Sequence, residues 1–579
     1  MEKLRMTSPD LTEENIDKLA DLFPSVITET LDADGNPQRS VDFDLLRQEL
    51  SDHIVEGPQE RYRLDWPGKR AAAFAANTPI AKTLRPVREE SVNFDTTKNL
   101  FIEGDNLDAL KLLQESYLGK VKLIYIDPPY NTGNDFVYND DFAASTESFL
   151  ERSGQADDEG TRLVANTEAN GRFHSDWLSM MYPRLKLARN LLKDNGVIFI
   201  SIDDHEIGQL RRICDEIFGE SNFLAEIVWQ KRTSPESRKR IGAGHEYIVC
   251  YARDSRNIQE TLFPLPLGNA DKSVFGNPDD DPRGPWVSSD FTAPGYRPNQ
   301  MYEIVTPSGQ VVAPPPGRCW MNLEEEYKSQ VAEGRFWFGP KGNGIPRRKT
   351  YLSERNGKSA WTWWPNSEVG HTQEGTREVR DLFDKNGPAL FDFPKPVRLM
   401  RRILQLATRA GAQDIVVDFF AGSGSMAHAV MAQNAEDSGN RRFIMVQLPE
   451  AVPELSDAGK LGYRSISEIS RERIRRAADS IMDTAGVSPG GFDSGFRSFH
   501  IDSSSFVNRL RAPDSIAQLD IEGLAATIQP GRSAEDLLFE VIQDWGIEPT
   551  LPVTVEQFDG SELLNVDDGA LIGSSQTRV

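Results

Sequence analysis

The chain has 579 residues, 89 of them acidic against 65 basic, for a net charge of −24. That length calls for more than one domain, and charge of that sign argues against a protein that is basic all over, as many nucleic-acid binders are. Hydrophobic residues make up 38%, with 29 Phe, 13 Tyr and 10 Trp, enough for packed cores and against wholesale disorder. Cys214, Cys250 and Cys319 are far apart, which excludes a disulfide framework or a zinc ribbon and fits a reducing, cytoplasmic compartment. No apolar run is long enough for a membrane span, and the first residues, MEKLRMTSPD, lack the apolar core of a secretory signal.

The acid is concentrated at the two ends. Residues 1–60 hold 15 acidic and 5 basic residues, and residues 501–579 hold 14 and 4. The middle is near balance and carries three basic clusters: Lys231, Arg232, Arg238, Lys239 and Arg240; Lys341, Arg347, Arg348, Lys349, Arg355 and Lys358; and Lys395, Arg398, Arg401, Arg402 and Arg409. A charge run is most often a solvated face, but clustered cations are also what phosphate contacts require.

In chain order, residues 9–54 read as helical, with Thr12 as a cap and Ile16, Leu19, Ala20 and Phe23 at helical spacing. Strands and helices then alternate. Strands are expected at 99–102, 121–126, 197–202 and 247–251, and helices at 107–115, 178–192 and 207–218. Residues 143–171, rich in Ser, Gly, Asp and Glu, read as a long loop. From about 256 to 390, Pro, Gly and Trp replace helical periodicity, as expected of an inserted domain of irregular or β structure. The alternation returns with a helix at 396–410, a strand at 415–420, a helix at 425–433 and a strand at 443–446. Such alternation predicts an α/β fold with a parallel sheet. The domains expected are 1–95, a helical accessory region; 96–255 and 391–475, two halves of one sheet domain; 256–390, the insertion; and 476–579, a separate acidic domain.

Two segments carry chemistry. Asp127-Pro128-Pro129-Tyr130 ends an apolar strand, where open α/β sheets bind ligands. An exocyclic amine on a purine is a poor nucleophile, because its lone pair is delocalised into the ring. A site that accepts both of its N–H bonds frees that lone pair. The Asp127 carboxylate and the Pro128 carbonyl are suited to this, since proline has no competing N–H and a fixed φ, and Tyr130 can stack on a base taken out of the duplex. Asp418-Phe419-Phe420-Ala421-Gly422-Ser423-Gly424 is a strand running into a glycine turn before a helix. Glycine there lets backbone approach a ligand, and Asp418 is placed to hold a cationic amino group. A full GxGxxG is absent, and Asn356-Gly357-Lys358-Ser359 has Leu352 where a phosphate-binding loop needs glycine. The histidines, His174, His205 and His245 among them, lack metal-ligand spacing, so no metal is expected.

Together these blocks resemble the β-class DNA amino-methyltransferases, and more closely the modification (Mod) subunits of type III restriction–modification systems. Further matching blocks are Met180-Met181-Tyr182-Pro183-Arg184-Leu185, Ile200-Ser201-Ile202-Asp203-Asp204 and Phe393-Pro394-Lys395-Pro396. The resemblance implies a Rossmann-like methyltransferase sheet in permuted order, the catalytic motif preceding the cofactor motif by about 290 residues, with a target-recognition domain between them. It implies S-adenosylmethionine as cofactor, Asp127, Pro128, Pro129 and Tyr130 as the catalytic motif, and Asp105, Asn106, Lys395, Pro396, Asp418, Phe420, Gly422, Ser423, Gly424 and Gln447 near the cofactor. Gln447 stands where that class usually has an acidic ribose ligand. Double-stranded DNA is then the substrate, contacted by Lys231, Arg232, Arg238, Lys239, Arg240, Arg347, Arg348 and Lys349. A helicase–nuclease restriction subunit and a second copy of the chain are the implied partners, and no membrane.

Cytosine-C5 chemistry is disfavoured, since no cysteine follows a proline. Asp at the head of the motif favours adenine N6 over cytosine N4. A solitary methyltransferase without a restriction partner, and a non-catalytic recognition subunit, are the alternatives. The intact motifs argue against the second.

Overall fold

A computed structural model of the chain describes residues 12–31, 37–50, 64–132, 172–235, 240–485, 491–506, 528–558 and 561–574. Residues 143–171, Arg238 and Lys239 lie outside the described residues.

A ten-stranded mixed sheet organises the larger of two units, residues 1–263 with 361–579. Its strands in chain order are β1 (Lys82–Pro86), β2 (Leu100–Glu103), β3 (Val121–Ile126), β4 (Leu192–Ile202), β5 (Phe223–Gln230), β6 (His245–Ala252), β7 (Trp363–Trp364), β8 (Ile415–Asp418), β9 (Arg442–Gln447) and β10 (Arg497–Ser503). Across the sheet the order is β7-β5-β6-β4-β3-β8-β9-β2-β10-β1. The six strands from β4 to β10 run parallel, while β6 and β1 attach antiparallel at either side of that block.

The central strands are apolar without a break because both faces are covered. All six residues of β3 are buried. Ile124, Ile126, Ile198, Ile200, Val417, Ile444 and Val446 form one face of the core. Alternate residues such as Leu123, Tyr125, Phe199, Val416 and Met445 are equally buried and point the other way. Helices α1 (Asn106–Tyr117), α2 (Arg172–Leu191) and α3 (Ile207–Phe218) pack on one another, and so do α5 (Val397–Ala407), α6 (Ser425–Asp437) and α7 (Ile466–Ala485); α4 (Thr372–Phe383) joins α7. In α5 the buried set Val397, Met400, Ile403, Leu404 and Ala407 is the i, i+3, i+4 stripe of an amphipathic helix. Lys122, buried in β3, donates to the carbonyls of Asn195, Glu260 and Thr261, and burial pushes its pKa down to about 8.

Three expectations change. Residues 9–54 are not uniformly helical, because strands Ile27–Leu31 and Pro37–Val41 form a hairpin between helices Thr12–Leu22 and Phe43–Glu49. The segment Ile27-Thr28-Glu29-Thr30-Leu31 is rich in β-branched residues, which favour a strand. The second unit is residues 264–360, shorter than the 256–390 expected, since β7 joins the main sheet. The C-terminal residues do not stand apart either. β10 is a sheet strand, and helix α8 (Ala534–Asp544) inserts Leu538, Phe539 and Ile542 into the main core. Its acidic residues are used internally: Glu535 pairs with Arg88, and Asp536 with Arg85.

The smaller unit has an aromatic core of Phe291, Trp320, Tyr327, Phe336 and Phe338. Strand Arg347–Tyr351 pairs antiparallel with Trp286–Asp290.

Candidate active site

Strands β3 and β8 are neighbours, so residues at their C-terminal ends meet although the chain separates them widely. Asp127 to Thr132 follow β3, and Phe420 to Ser425 follow β8. Both segments line one cavity of about 1570 Å³, along with Trp229, Lys231, Glu246, Phe391, Lys395, Asp418 and Gln447.

The Asp-Pro-Pro-Tyr segment is held from several sides. The Trp177 indole N–H, on α2, donates to the Pro129 carbonyl at 2.7 Å. Asn131 takes the left-handed conformation at φ 58° and donates its side-chain amide to the buried Glu206 carboxylate at 2.6 Å, which His174 also contacts at 2.6 Å. Among the described residues no hydrogen bond reaches the Pro128 carbonyl, which leaves it available to a ligand. The Tyr130 hydroxyl lies 2.8 Å from Asp127 Oδ1 and 3.1 Å from Glu246 Oε2. Burial, and then the Asp127 and Glu246 charges, push its pKa far up, so the phenol stays protonated.

Lys395 is the first departure from expectation. Its Nζ sits 2.8 and 2.7 Å from the two Asp127 oxygens and 2.9 Å from the Tyr130 hydroxyl. The side chain expected over the cofactor is therefore on the catalytic carboxylate. Desolvation opposes the charge, but Asp127 and Glu246 outweigh it and hold the ammonium above its ordinary pKa. Pro396 caps α5 and does not line the cavity.

The β8 turn is built for close approach. Gly422 (φ 53°) and Gly424 (φ 77°) occupy the left-handed region, which costs other L-residues about 1–2 kcal/mol. Asp418 is 3% exposed and accepts from the Phe420 N–H at 3.1 Å. Burial pushes its pKa well up. A buried acid that gains charge on meeting a cation suits an amino-acid ammonium. Ser423 and Ser425 line the cavity, both backed by the buried Arg473 guanidinium at 2.5 and 2.7 Å.

Of three other positions expected at the cofactor, Gln447 lines the cavity and also braces the turn, while Asn106 and Asp105 make structural bonds. Gln447 Oε1 accepts from the Gly422 N–H at 2.6 Å. Asn106 donates to the Phe419 carbonyl at 2.9 Å, and Asp105 caps α1 by accepting from Leu107 and Asp108. Neither Asp105 nor Asn106 lines the cavity. The two are joined by the fully buried Arg184, whose Nε donates to Asn106 and whose NH2 lies 3.3 Å from Asp105.

The basic clusters divide. Lys231 is paired with Glu246 at 2.9 Å inside the cavity. Lys349 is 5% exposed, with its ammonium 2.8 Å from Asp281 and a second contact to Asp279, so it is a buried ion-pair member and not a phosphate ligand. In the third cluster Arg398 pairs with Glu374, Arg402 with Glu368 and Arg401 with Glu436. Arg232, Arg240, Arg347 and Arg348 are exposed on the surface; Arg347 donates to Ser288. Glu246 and Trp177 were missed. Glu246 carried a signal: it shares a strand face with Ile248 and Cys250, and an acid on an apolar face is a buried acid.

A mixed sheet with a parallel centre, whose adjacent strand ends bring Asp-Pro-Pro-Tyr and a glycine turn to one cavity, has the build expected of an amino-methyltransferase. A family profile described as DNA methylase matches residues 121–477. The StyLTI Mod subunit of a type III restriction-modification enzyme from Salmonella typhimurium is 40% identical over 76% of this chain and 66% of its own length. The EcoPI Mod subunit from Escherichia phage P1 is 35% identical over 73% of this chain and 69% of its own. The chain thus spans about two thirds of these relatives. A solved putative DNA modification methylase from Thermus thermophilus, complexed with S-adenosyl-L-methionine, covers 70% of this chain and 100% of its own at 16% identity and a TM-score of 0.28, too distant to transfer any residue's role. The chain belongs to the DNA methylase family, among the Mod subunits of type III restriction-modification enzymes. S-adenosylmethionine is the methyl donor of that family, and the Asp418–Gly424 turn with its serines fits it.

Proposed function

We propose that the protein methylates the N6 amine of an adenine flipped out of duplex DNA, as the modification and recognition subunit of a type III system. The observation that carries this reading is the shared cavity: Asp127 and Pro128 line the same space as the Gly422 turn. When bound, S-adenosylmethionine supplies a methyl group already activated on a sulfonium. The chain's own task is positioning and exclusion of water.

Asp127 and the Pro128 carbonyl accept the two amine N–H bonds, which turns the nitrogen lone pair towards the methyl group. The cofactor would supply the methyl with cleavage of its bond to sulfur, leaving a neutral thioether; on this chain's side, Asp127 would take the proton that the methylated nitrogen sheds. Asp418 and the Ser423–Ser425 pair hold the amino-acid end of the cofactor. Asp at the head of the motif supports adenine over cytosine N4.

Residues 264–360, with the exposed Arg347 and Arg348, read the target, and Arg232 and Arg240 contact backbone phosphate. The names of the relatives support a restriction subunit as partner, and two copies of this chain form the working unit, acting on cytoplasmic DNA. The test is methyl transfer in vitro to duplex DNA by wild type and by Asp127→Ala. Loss of transfer with S-adenosylmethionine binding retained is expected, and full transfer by the variant overturns the mechanism.

A further inference from the structure

The Lys395 ammonium occupies the ground that the target amine needs. It bonds both Asp127 oxygens and the Tyr130 hydroxyl. Each carboxylate oxygen can accept more than one hydrogen bond, but a target amine that donates along a direction Lys395 already uses displaces the ammonium. The backbone gives it little freedom, because Pro394 and Pro396 flank it. The adjustment therefore falls to its four-carbon side chain, which rests beside the Tyr130 and Trp229 rings at 5.2 and 5.8 Å.

Lys395 is 8% exposed. A buried cation that leaves one carboxylate needs another, since an unpaired buried charge is strongly unfavourable. Among the described residues, the other carboxylate within 4 Å of its Nζ is Glu246, whose Oε2 lies at 3.4 Å. The opposite oxygen, Oε1, is held by Lys231 at 2.9 Å, which fixes the carboxylate with Oε2 turned to Lys395. Glu246 also meets the Tyr130 hydroxyl at 3.1 Å, so the phenol touches both the present seat of the ammonium and the neighbouring one.

We propose that Glu246 is a positioning residue for methyl transfer: it receives the Lys395 ammonium when the target amine takes its place on Asp127. Without substrate, Lys395 occupies both oxygens of Asp127. With substrate, the ammonium shifts to Glu246, and the net charge of the cluster is unchanged because a neutral amine replaces a cation that stays inside. Desolvation would raise the Glu246 pKa, but the Lys395 and Lys231 charges hold it below its ordinary value, so the seat is ionised at neutral pH. This inference rests on Asp127 being the amine acceptor.

The test is a double-mutant cycle on the full chain, with single-turnover methyl transfer to duplex DNA and S-adenosylmethionine affinity measured for each variant. Glu246→Gln lowers the transfer rate about tenfold or more, with cofactor affinity within twofold of wild type. In a Lys395→Met background the same substitution costs less than twofold, because no ammonium needs a seat. Equal losses from Glu246→Gln in both backgrounds overturn the proposal, as does loss confined to cofactor affinity. If Asp127→Ala retains full transfer, the underlying reading fails instead. Should Glu246→Gln not fold, a structure of the wild type with target duplex and a non-reactive cofactor analogue decides: Lys395 Nζ within 3.2 Å of Glu246 and off Asp127 is expected, and Lys395 still on both Asp127 oxygens refutes it.

Discussion

Trp177→Phe removes one hydrogen bond beneath the catalytic motif and keeps a ring in place. The indole N–H donates to the Pro129 carbonyl at 2.7 Å, and the side chain is fully buried. Removing the donor leaves the carbonyl without its partner, at a cost of about 1–3 kcal/mol. The smaller ring adds a cavity term of about 1 kcal/mol. Global stability therefore falls by about 2–4 kcal/mol if no water replaces the indole. The catalytic share is smaller. The Pro129 carbonyl is one peptide from the Pro128 carbonyl; under the proposed function, in which Pro128 accepts the amine, a displacement there loosens a contact used in the transition state. A loss of about 1.4 kcal/mol of that contact lowers the rate about tenfold. Single-turnover transfer of a labelled methyl group, with cofactor affinity by calorimetry and thermal unfolding, separates the two effects. Expected are a rate near one tenth, unchanged cofactor affinity and a lower melting temperature. A lower melting temperature with a rate within twofold of wild type refutes the positioning argument.

Gly422→Ala places a Cβ at φ 53°, with Phe391 Cζ at 3.4 Å, so space exists but the backbone is strained. About 1–2 kcal/mol of strain relaxes the turn, and cofactor affinity by calorimetry falls about fivefold or more. Asp281→Asn weakens an acceptor shared by Arg283, Lys349 and Tyr351. The smaller unit loses about 3 kcal/mol, as for a broken buried ion pair, read by tryptophan fluorescence during denaturation. Lys122 has a folded pKa near 8, below the unfolded value near 10.4. The unfolded chain binds more protons between those limits, so wild-type stability relative to Lys122→Met rises with pH across that window. A flat difference contradicts the burial argument. Arg347→Ala with Arg348→Ala reduces the slope of log affinity against log salt by roughly 2 if both touch phosphate. An unchanged slope places DNA elsewhere.

The strands and helices that carry the motifs were legible because their patterns are local. β3 and α3 have the bounds read from apolar runs, and the turn after β8 is announced by its glycines. What escaped was long-range. The hairpin at 27–41 was hidden by flanking helical spacing, and β10 and α8 looked like a separate domain because their acid gave no hint of Arg85 and Arg88. In the site, Asp127 and Gly422 were found from motif chemistry. The places of Lys395 and Glu246 were not, since neither position implies that β6 and the segment before α5 converge on Asp127. Lys349 shows the same limit in reverse: a basic run cannot distinguish an exposed Arg348 from a buried neighbour.

The central claim is that Asp127 heads a site for adenine N6 methylation. It is tested most directly by sequencing DNA from a host without other methylases that expresses this chain alone, with modified bases scored by position. The prediction is N6-methyladenine at a single sequence context, absent when Asp127→Ala is expressed instead. Unmodified DNA, methylation on cytosine, or an unchanged pattern in the variant would contradict it.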